Sequence, residues 1–251
     1  MNGKFTKLRH ETSRGLTQMK ILLAQINPTV GDLKGNAEKI IKALTKFQCE
    51  IYVFPELCIT GYIPQDLLLR KSFVLENLNT LKWIIEKSRG KTIILGFVDK
   101  EGDKLYNSAG IIHNMELNGI YHKQCLPNYH IFDEKRWFSA GNYSTVFRLH
   151  SKIIGVNICE DVWFKDICMN QKNAGAEMII NISASPYSEG KIKRVEDVVM
   201  ERHKENKIPI IYVNQVGAQD GIVFYGHSMY VKNGKIISGR DFQDDFRVVE
   251  M

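Results

Sequence analysis

Short apolar runs alternate with stretches of helical spacing along the whole chain. Lys20–Ile26 is brief and apolar, as a buried strand would be, and Asn27-Pro28 and Gly31-Asp32 close it with turn signals. Asn36 is placed to cap a helix reaching Phe47, with Ile40, Ile41 and Leu44 on one face. Ile51–Phe54 is a second strand. Ser72 is expected to cap a longer helix to Arg89, whose stripe is Phe73, Leu75, Leu78, Leu81 and Ile85. Thr92–Val98 and Leu105–His113 read as strands around a Glu101-Gly102-Asp103 turn, and Asn118-Gly119 marks a hairpin. Residues 122–142 mix aromatic and charged side chains without a clean period. They read as a long structured loop or short helix, the kind of segment that often carries function. Thr145–Leu149 and Ile153–Ile158 form a hairpin, Phe164–Ala174 a helix, Met178–Ile182 a strand, Lys191–Lys207 a charged helix and Pro209–Asn214 a strand. A last hairpin, Phe224–Val231 with Lys235–Ser238, turns at Asn233-Gly234, and Arg240 to Met251 reads as a charged tail. With no solenoid repeat and no low-complexity linker, the pattern predicts one α/β domain over residues 19–251.

At 251 residues and 44% hydrophobic, the chain can bury a sizeable core. No apolar run approaches the roughly 20 residues that cross a bilayer, so no membrane role is expected. The five cysteines (Cys49, Cys58, Cys125, Cys159 and Cys168) are odd in number and lack a C-x-x-C pair, and the histidines are scattered. No metal site is expected, and reduced thiols point to a cytoplasmic protein. Lys4, Lys7, Arg9, Arg14 and Lys20 against Glu11 put +4 of the net +6 into the first 20 residues. The excess belongs to an end of the chain rather than to a basic groove, which argues against a nucleic-acid partner. Residues 1–18 lack the apolar core of a secretory signal. They are expected to be a disordered extension, or to precede a natural start at Met19.

Three residues follow strands directly. Cys159 ends the apolar run Ile153–Ile158 and opens Cys159-Glu160-Asp161-Val162-Trp163; Glu56 follows Ile51–Phe54; Lys123 begins the irregular segment. Taken singly, each has an ordinary reading: a small hydrophobe capping a core strand, a solvated carboxylate, a surface charge. Taken together at strand C-termini, where α/β proteins place ligands, they offer a thiol nucleophile, a proton acceptor and an oxyanion-stabilising cation. Glu56 would take the thiol proton and return it to a departing amine, while Lys123 and the N–H after Cys159 would hold the oxyanion.

In order and context these residues resemble the nitrilase (carbon–nitrogen hydrolase) superfamily, and within it the glutaminase domain of glutamine-dependent NAD synthetases. The resemblance rests on Phe54-Pro55-Glu56-Leu57-Cys58-Ile59-Thr60-Gly61-Tyr62 with Asp66-Leu67-Leu68-Leu69-Arg70, and on Lys123 to Tyr129 with Phe132-Asp133-Glu134. Cys159 to Trp163, Ala184-Ser185-Pro186-Tyr187 and Val213-Asn214-Gln215-Val216-Gly217 complete it, so that it spans about Lys20 to Ser238. It implies a four-layer α-β-β-α sandwich and glutamine amide hydrolysis through a Cys thioester. Glu56 would be the base, Lys123 the oxyanion stabiliser, Cys159 the nucleophile and Glu134 an additional glutamate that positions the others. By the same matching, Tyr129, Glu160, Trp163, Ser185 and Lys191 would hold glutamine. Lys191 stands where many members carry Arg and lacks its bidentate fork.

Tyr225 replaces an acid usual before the glycine matching Gly226, and Gly221 and Gln65 depart from the pattern in the same sense. The amidase reaction needs no cofactor. ATP and deamido-NAD would serve a synthetase part whose SGGxDS-like loop does not occur in this sequence, nor does a P-loop lysine motif. A separate synthetase subunit is then an expected partner, and a homo-oligomer is expected by resemblance. Two alternatives stay open: a stand-alone amidase for another small amide or carbamoyl compound, and a non-catalytic remnant or interaction protein.

Overall fold

Each of two six-stranded sheets has three parallel strands at its centre. The structure, a computed structural model, describes residues 19–149 and 151–251, so the expectation for residues 1–18 lies outside it. In the first sheet β1 (Lys20–Gln25), β2 (Ile51–Val53) and β3 (Thr92–Glu101) run parallel. β4 (Lys104–His113) and β5 (Glu116–His122) extend it as an antiparallel meander, and β14 (Asp245–Glu250) closes the other edge against β1. In the second sheet β7 (Lys152–Ile158), β8 (Met178–Ser183) and β9 (Ile210–Asn214) are parallel. Antiparallel β6 (Thr145–Leu149) flanks them on one side, and β12 (Met229–Lys232) with β13 (Lys235–Ser238) on the other. β10 (Val216–Gln219) and β11 (Ile222–Tyr225) form a separate small hairpin.

The side-chain period of two sorts these strands into layers. Leu22, Tyr52 and Ile93 face outward onto α1 (Leu33–Lys46) and α2 (Lys71–Glu86), meeting Leu33, Ala37, Ile40, Leu81 and Ile84. Their strand neighbours Ile21, Leu23, Ile51 and Val53 face inward and meet Val156, Ile158, Ile180, Ile211 and Val213 of the second sheet. Ile179, Ile210 and Tyr212 face out again, under Val195 and Val199 of α5 (Lys191–Asn206) and Cys168 of α4 (Lys165–Asn173). Both faces of each sheet are covered, so the central strands read as continuous apolar runs rather than alternating ones. The result is the expected α-β-β-α sandwich.

Several local expectations are corrected. Asp32, not Asn36, caps α1, its carboxylate accepting from the Gly35 N–H; Asn36 is buried and bonds Thr29 and the Ile59 carbonyl. No side chain caps α2; its buried stripe runs Phe73, Asn77, Leu81, Ile84, and Leu75 is 58% exposed. Asn77 donates to the Val98 carbonyl, so a polar residue ties this helix to β3. The β4–β5 hairpin turns at Asn114-Met115, both at positive φ, while Asn118-Gly119 lies inside β5 beside a register shift. Phe224–Val231 is not one strand: Gly226 and His227, both at positive φ, separate β11 from β12. The charged C-terminal segment is edge strand β14, with Val249 buried and Val248 exposed.

Candidate active site

β5 runs parallel to β3 through the intervening antiparallel β4, so Lys123 emerges on the same lip of the first sheet as Glu56, after β2. Cys159 and Ala184 follow the neighbouring parallel strands β7 and β8 of the second sheet. The two lips coincide, because the Ala184 N–H donates to Glu56 Oε2 at 2.8 Å. Two glycines permit this. A Cβ on Gly96 would run into the Glu56-Leu57 backbone, which crosses directly over β3, and one on Gly141 would strike the His122 carbonyl beside Lys123.

Lys123 Nζ lies 2.7 Å from Glu56 Oε1 and 2.8 Å from Glu134 Oε1, and all three side chains are 0% exposed. Glu134 opens a single-turn helix, α3 (Glu134–Trp137), inside the irregular segment. Asn107 Nδ2 donates to Glu56 Oε1 at 2.7 Å, and the Tyr62 hydroxyl donates to Glu134 Oε1 at 2.6 Å. Burial alone would discharge the ammonium, but Glu134 and Glu56 outweigh it and hold the Lys123 pKa well above its ordinary value. Burial pushes Glu134 up to about 7, with Lys123 opposing and Glu56 reinforcing. Glu134 Oε2 is buried without a hydrogen-bond partner.

Cys159 opens a 3-10 turn (Cys159–Trp163) with its own φ at +45°, a left-handed conformation unusual for a residue with a Cβ. Asn181 Nδ2 donates to the Cys159 carbonyl at 3.3 Å, and Asn181 is held by Asn157 Oδ1 at 2.7 Å and by the Ser183 hydroxyl. The thiol is pushed up, first by burial and then by the charge of Glu56, with Lys123 acting the other way. At rest it is therefore protonated.

The remaining expected residues gather on the same side. The Tyr129 hydroxyl donates to Glu160, 2.9 Å from each carboxylate oxygen. Lys191 Nζ sits 4.4 Å above the Trp163 ring. Burial lowers its pKa, against the raising influence of Cys159 and Glu160. The Ser185 N–H donates to Asn214 Oδ1 at 2.8 Å. Burial pushes Tyr225 up to about 12, while the hydroxyls of Tyr212 and Ser185 beside it work the other way. The departure at Tyr225 thus lies within electrostatic reach of the thiol.

Asn107, Tyr62 and Asp161 escaped the sequence reading. Asn107 and Tyr62 look like ordinary strand and loop positions until the carboxylates they serve are in place. Asp161 is fully buried and accepts four hydrogen bonds: Gln124 N–H (3.2 Å) and Cys125 N–H (2.8 Å) on Oδ1, Ile158 N–H (3.0 Å) and the Tyr121 hydroxyl (2.8 Å) on Oδ2. Burial raises its pKa to about 6, with these donors opposing. Away from this cluster, His122 Nε2 lies 2.8 Å from Asp99 Oδ2 and its ring stacks on Tyr106 at 4.0 Å. With Glu101 they are the one group of potential metal-ligating atoms within 4.8 Å among the described residues.

The carbon–nitrogen hydrolase family profile matches residues 20–245. The chain belongs to that family. This carbon–nitrogen hydrolase is 37% identical over 245 residues to the glutamine-dependent NAD(+) synthetase of Thermotoga maritima, covering 94% of this chain and 42% of that protein. It is 38% identical to the Aquifex aeolicus protein of the same name, covering 93% and 42%. The chain thus spans less than half the length of these curated relatives. Among solved structures, the glutamine-dependent NAD+ synthetase from Acinetobacter baumannii superposes with a TM-score of 0.87 at 31% identity, over 93% of this chain and 45% of that one. An amidase from Nesterenkonia sp. superposes with a TM-score of 0.83 at 22% identity over 95% and 94%, a likeness of fold. Among the described residues no helix is long and apolar enough to cross a membrane.

Proposed function

We propose that this hydrolase cleaves the side-chain amide of glutamine to glutamate and ammonia through a thioester on Cys159. The observation that carries the reading is the buried Lys123 bridging Glu56 and Glu134 at 2.7 and 2.8 Å, within electrostatic reach of the Cys159 thiol. A protonated thiol is a weak nucleophile, so attack is coupled to proton loss. Glu56 takes the Sγ proton as sulfur bonds to the amide carbon. Lys123 Nζ and the N–H after Cys159 stabilise the oxyanion. Collapse breaks the C–N bond and Glu56 returns the proton to the departing ammonia. Water, deprotonated by Glu56, then attacks the thioester, glutamate leaves and the thiol is restored. The unpartnered Glu134 Oε2 is an acceptor suited to the amide NH₂. No cofactor enters these steps.

The substrate assignment is supported by opposite charges at the mouth. Glu160, held by Tyr129, suits an α-ammonium, and Lys191, over Trp163, suits an α-carboxylate. Ser185 adds a polar group on the same rim. The ammonia would serve a synthetase acting on deamido-NAD with ATP, in line with the names of the relatives. Tyr225, within electrostatic reach of the thiol where the family usually has an acid, favours a second reading, a small-amide or carbamoyl hydrolase with a different pocket wall. Ammonia release from glutamine by wild type and Cys159→Ala tests the proposal. The expected loss in the variant is about 10⁴-fold or more. Full activity on another amide without glutamine turnover selects the second reading, and an active Cys159→Ala overturns both.

A further inference from the structure

We infer that Asp161 is a positioning residue that sets the placement of Lys123 relative to Cys159. The inference rests on the reading in which these two residues act on one substrate. Asp161 lies two residues after Cys159, yet its oxygens divide between two segments of chain. Oδ2 accepts from the N–H of Ile158, the residue before Cys159. Oδ1 accepts from the N–H groups of Gln124 and Cys125, the two residues after Lys123. The Tyr121 hydroxyl, two residues before Lys123, completes Oδ2 and itself accepts from Gln124 Nε2 at 2.9 Å. One buried carboxylate therefore clasps both sides of Lys123 in the first sheet and the approach to Cys159 in the second.

A residue that only caps the turn needs just the bond back to Ile158, as the third residue of a capped helix commonly makes. Contact with residues 124 and 125 is superfluous for that purpose. It has a use if the ammonium and the sulfur must keep a fixed spacing around a carbonyl carbon, since a misplacement of about 1 Å costs on the order of 100-fold in rate. Asparagine has the same shape but cannot repeat the clasp. Its one oxygen serves one pair of donors, and its NH₂ faces the other pair.

The test measures kcat and KM for Asp161→Asn and Tyr121→Phe, with active sites counted by stoichiometric labelling of Cys159 with a glutamine-mimicking diazoketone. Asp161→Asn is expected to lose about 100-fold in kcat per labelled site, with KM changed less than about threefold. Tyr121→Phe removes one donor of four, and an intermediate loss of several-fold is expected; it decides the question where Asp161→Asn does not fold. Wild-type kcat per labelled site in these variants, with only a lowered melting temperature, makes Asp161 a structural cap and overturns the inference. An inactive Cys159→Ala alongside that result leaves the proposed reaction standing, whereas an active Cys159→Ala removes the reaction and the inference together.

Discussion

The two sheets bring different kinds of chemistry to the shared lip. From the first come charges: Glu56, Lys123 and Glu134, each fully buried and each compensated by another. From the second comes backbone geometry: Cys159 in a left-handed conformation, with Asn181 on its carbonyl and Asp161 tethering the N–H before it. Charges in a dry interior stay ionised only as a balanced set, so losing one member strands the others. A backbone posture held by several separate hydrogen bonds loses them one at a time.

The difference is largest at Lys123. Lys123→Met leaves two carboxylates facing each other in a site 0% exposed. A destabilisation of about 3–5 kcal/mol is expected, with turnover lost, as read from urea unfolding and ammonia release. Asn181→Ala, in the second sheet, removes its hydrogen bonds to the Cys159 carbonyl and to Asn157 and the one it accepts from the Ser183 hydroxyl. It should cost about 1–3 kcal/mol. Equal destabilisation by the two would erase the distinction between the sheets.

A subtler contrast appears in the pH dependence of stability. Burial raises Glu134, on the first-sheet side, from 4.5 to about 7, and Asp161, on the second, from 3.8 to about 6. The folded chain holds each proton more tightly than the unfolded chain does. Each group's contribution is therefore complete below its unfolded pKa and is lost as pH rises through the folded one. The wild-type advantage over Glu134→Gln should shrink between pH 4.5 and 7, and that over Asp161→Asn between pH 3.8 and 6. Urea midpoints across pH measure both. An advantage growing with pH in those windows contradicts the assigned burial.

What could be read from the chain follows the same division. Strand ends mark Glu56, Lys123 and Cys159 because a polar or reactive residue directly after an apolar run has one plausible place in an α/β fold. Glu134 carries no such mark and enters by resemblance alone. Asn107 sits within β4 and Tyr62 in an irregular stretch, so the bonds that give them meaning are to residues far along the chain. Edge strand β14 was hidden because Val249 is its one fully buried residue and its other positions are half-buried or exposed, leaving the Asp245–Glu250 pattern looking like a solvated tail. Asn118-Gly119 misled for a related reason. The Asn118 side chain reaches the carbonyls of His113 and Glu116 across the real turn, so a turn-forming residue acts there from inside a strand.

The smallest expected effect sharpens the comparison at the rim. If charges from the first sheet perform the chemistry while those beside the second hold the substrate, then Lys191 should alter binding and not turnover. Its ammonium is partly exposed over Trp163 and bonds none of the three buried charges. Lys191→Met keeps the stem on the indole and removes the cation. KM for glutamine is expected to rise about tenfold, equivalent to about 1.4 kcal/mol, with kcat within twofold of wild type. Lys191→Arg, which supplies a planar fork for a carboxylate, should lower KM below the wild-type value. A small amide lacking the α-carboxylate should show the same KM in all three proteins. If Lys191→Met instead reduces kcat and leaves KM alone, the cation acts on the reacting centre, and the separation of chemistry from recognition between the two sheets fails.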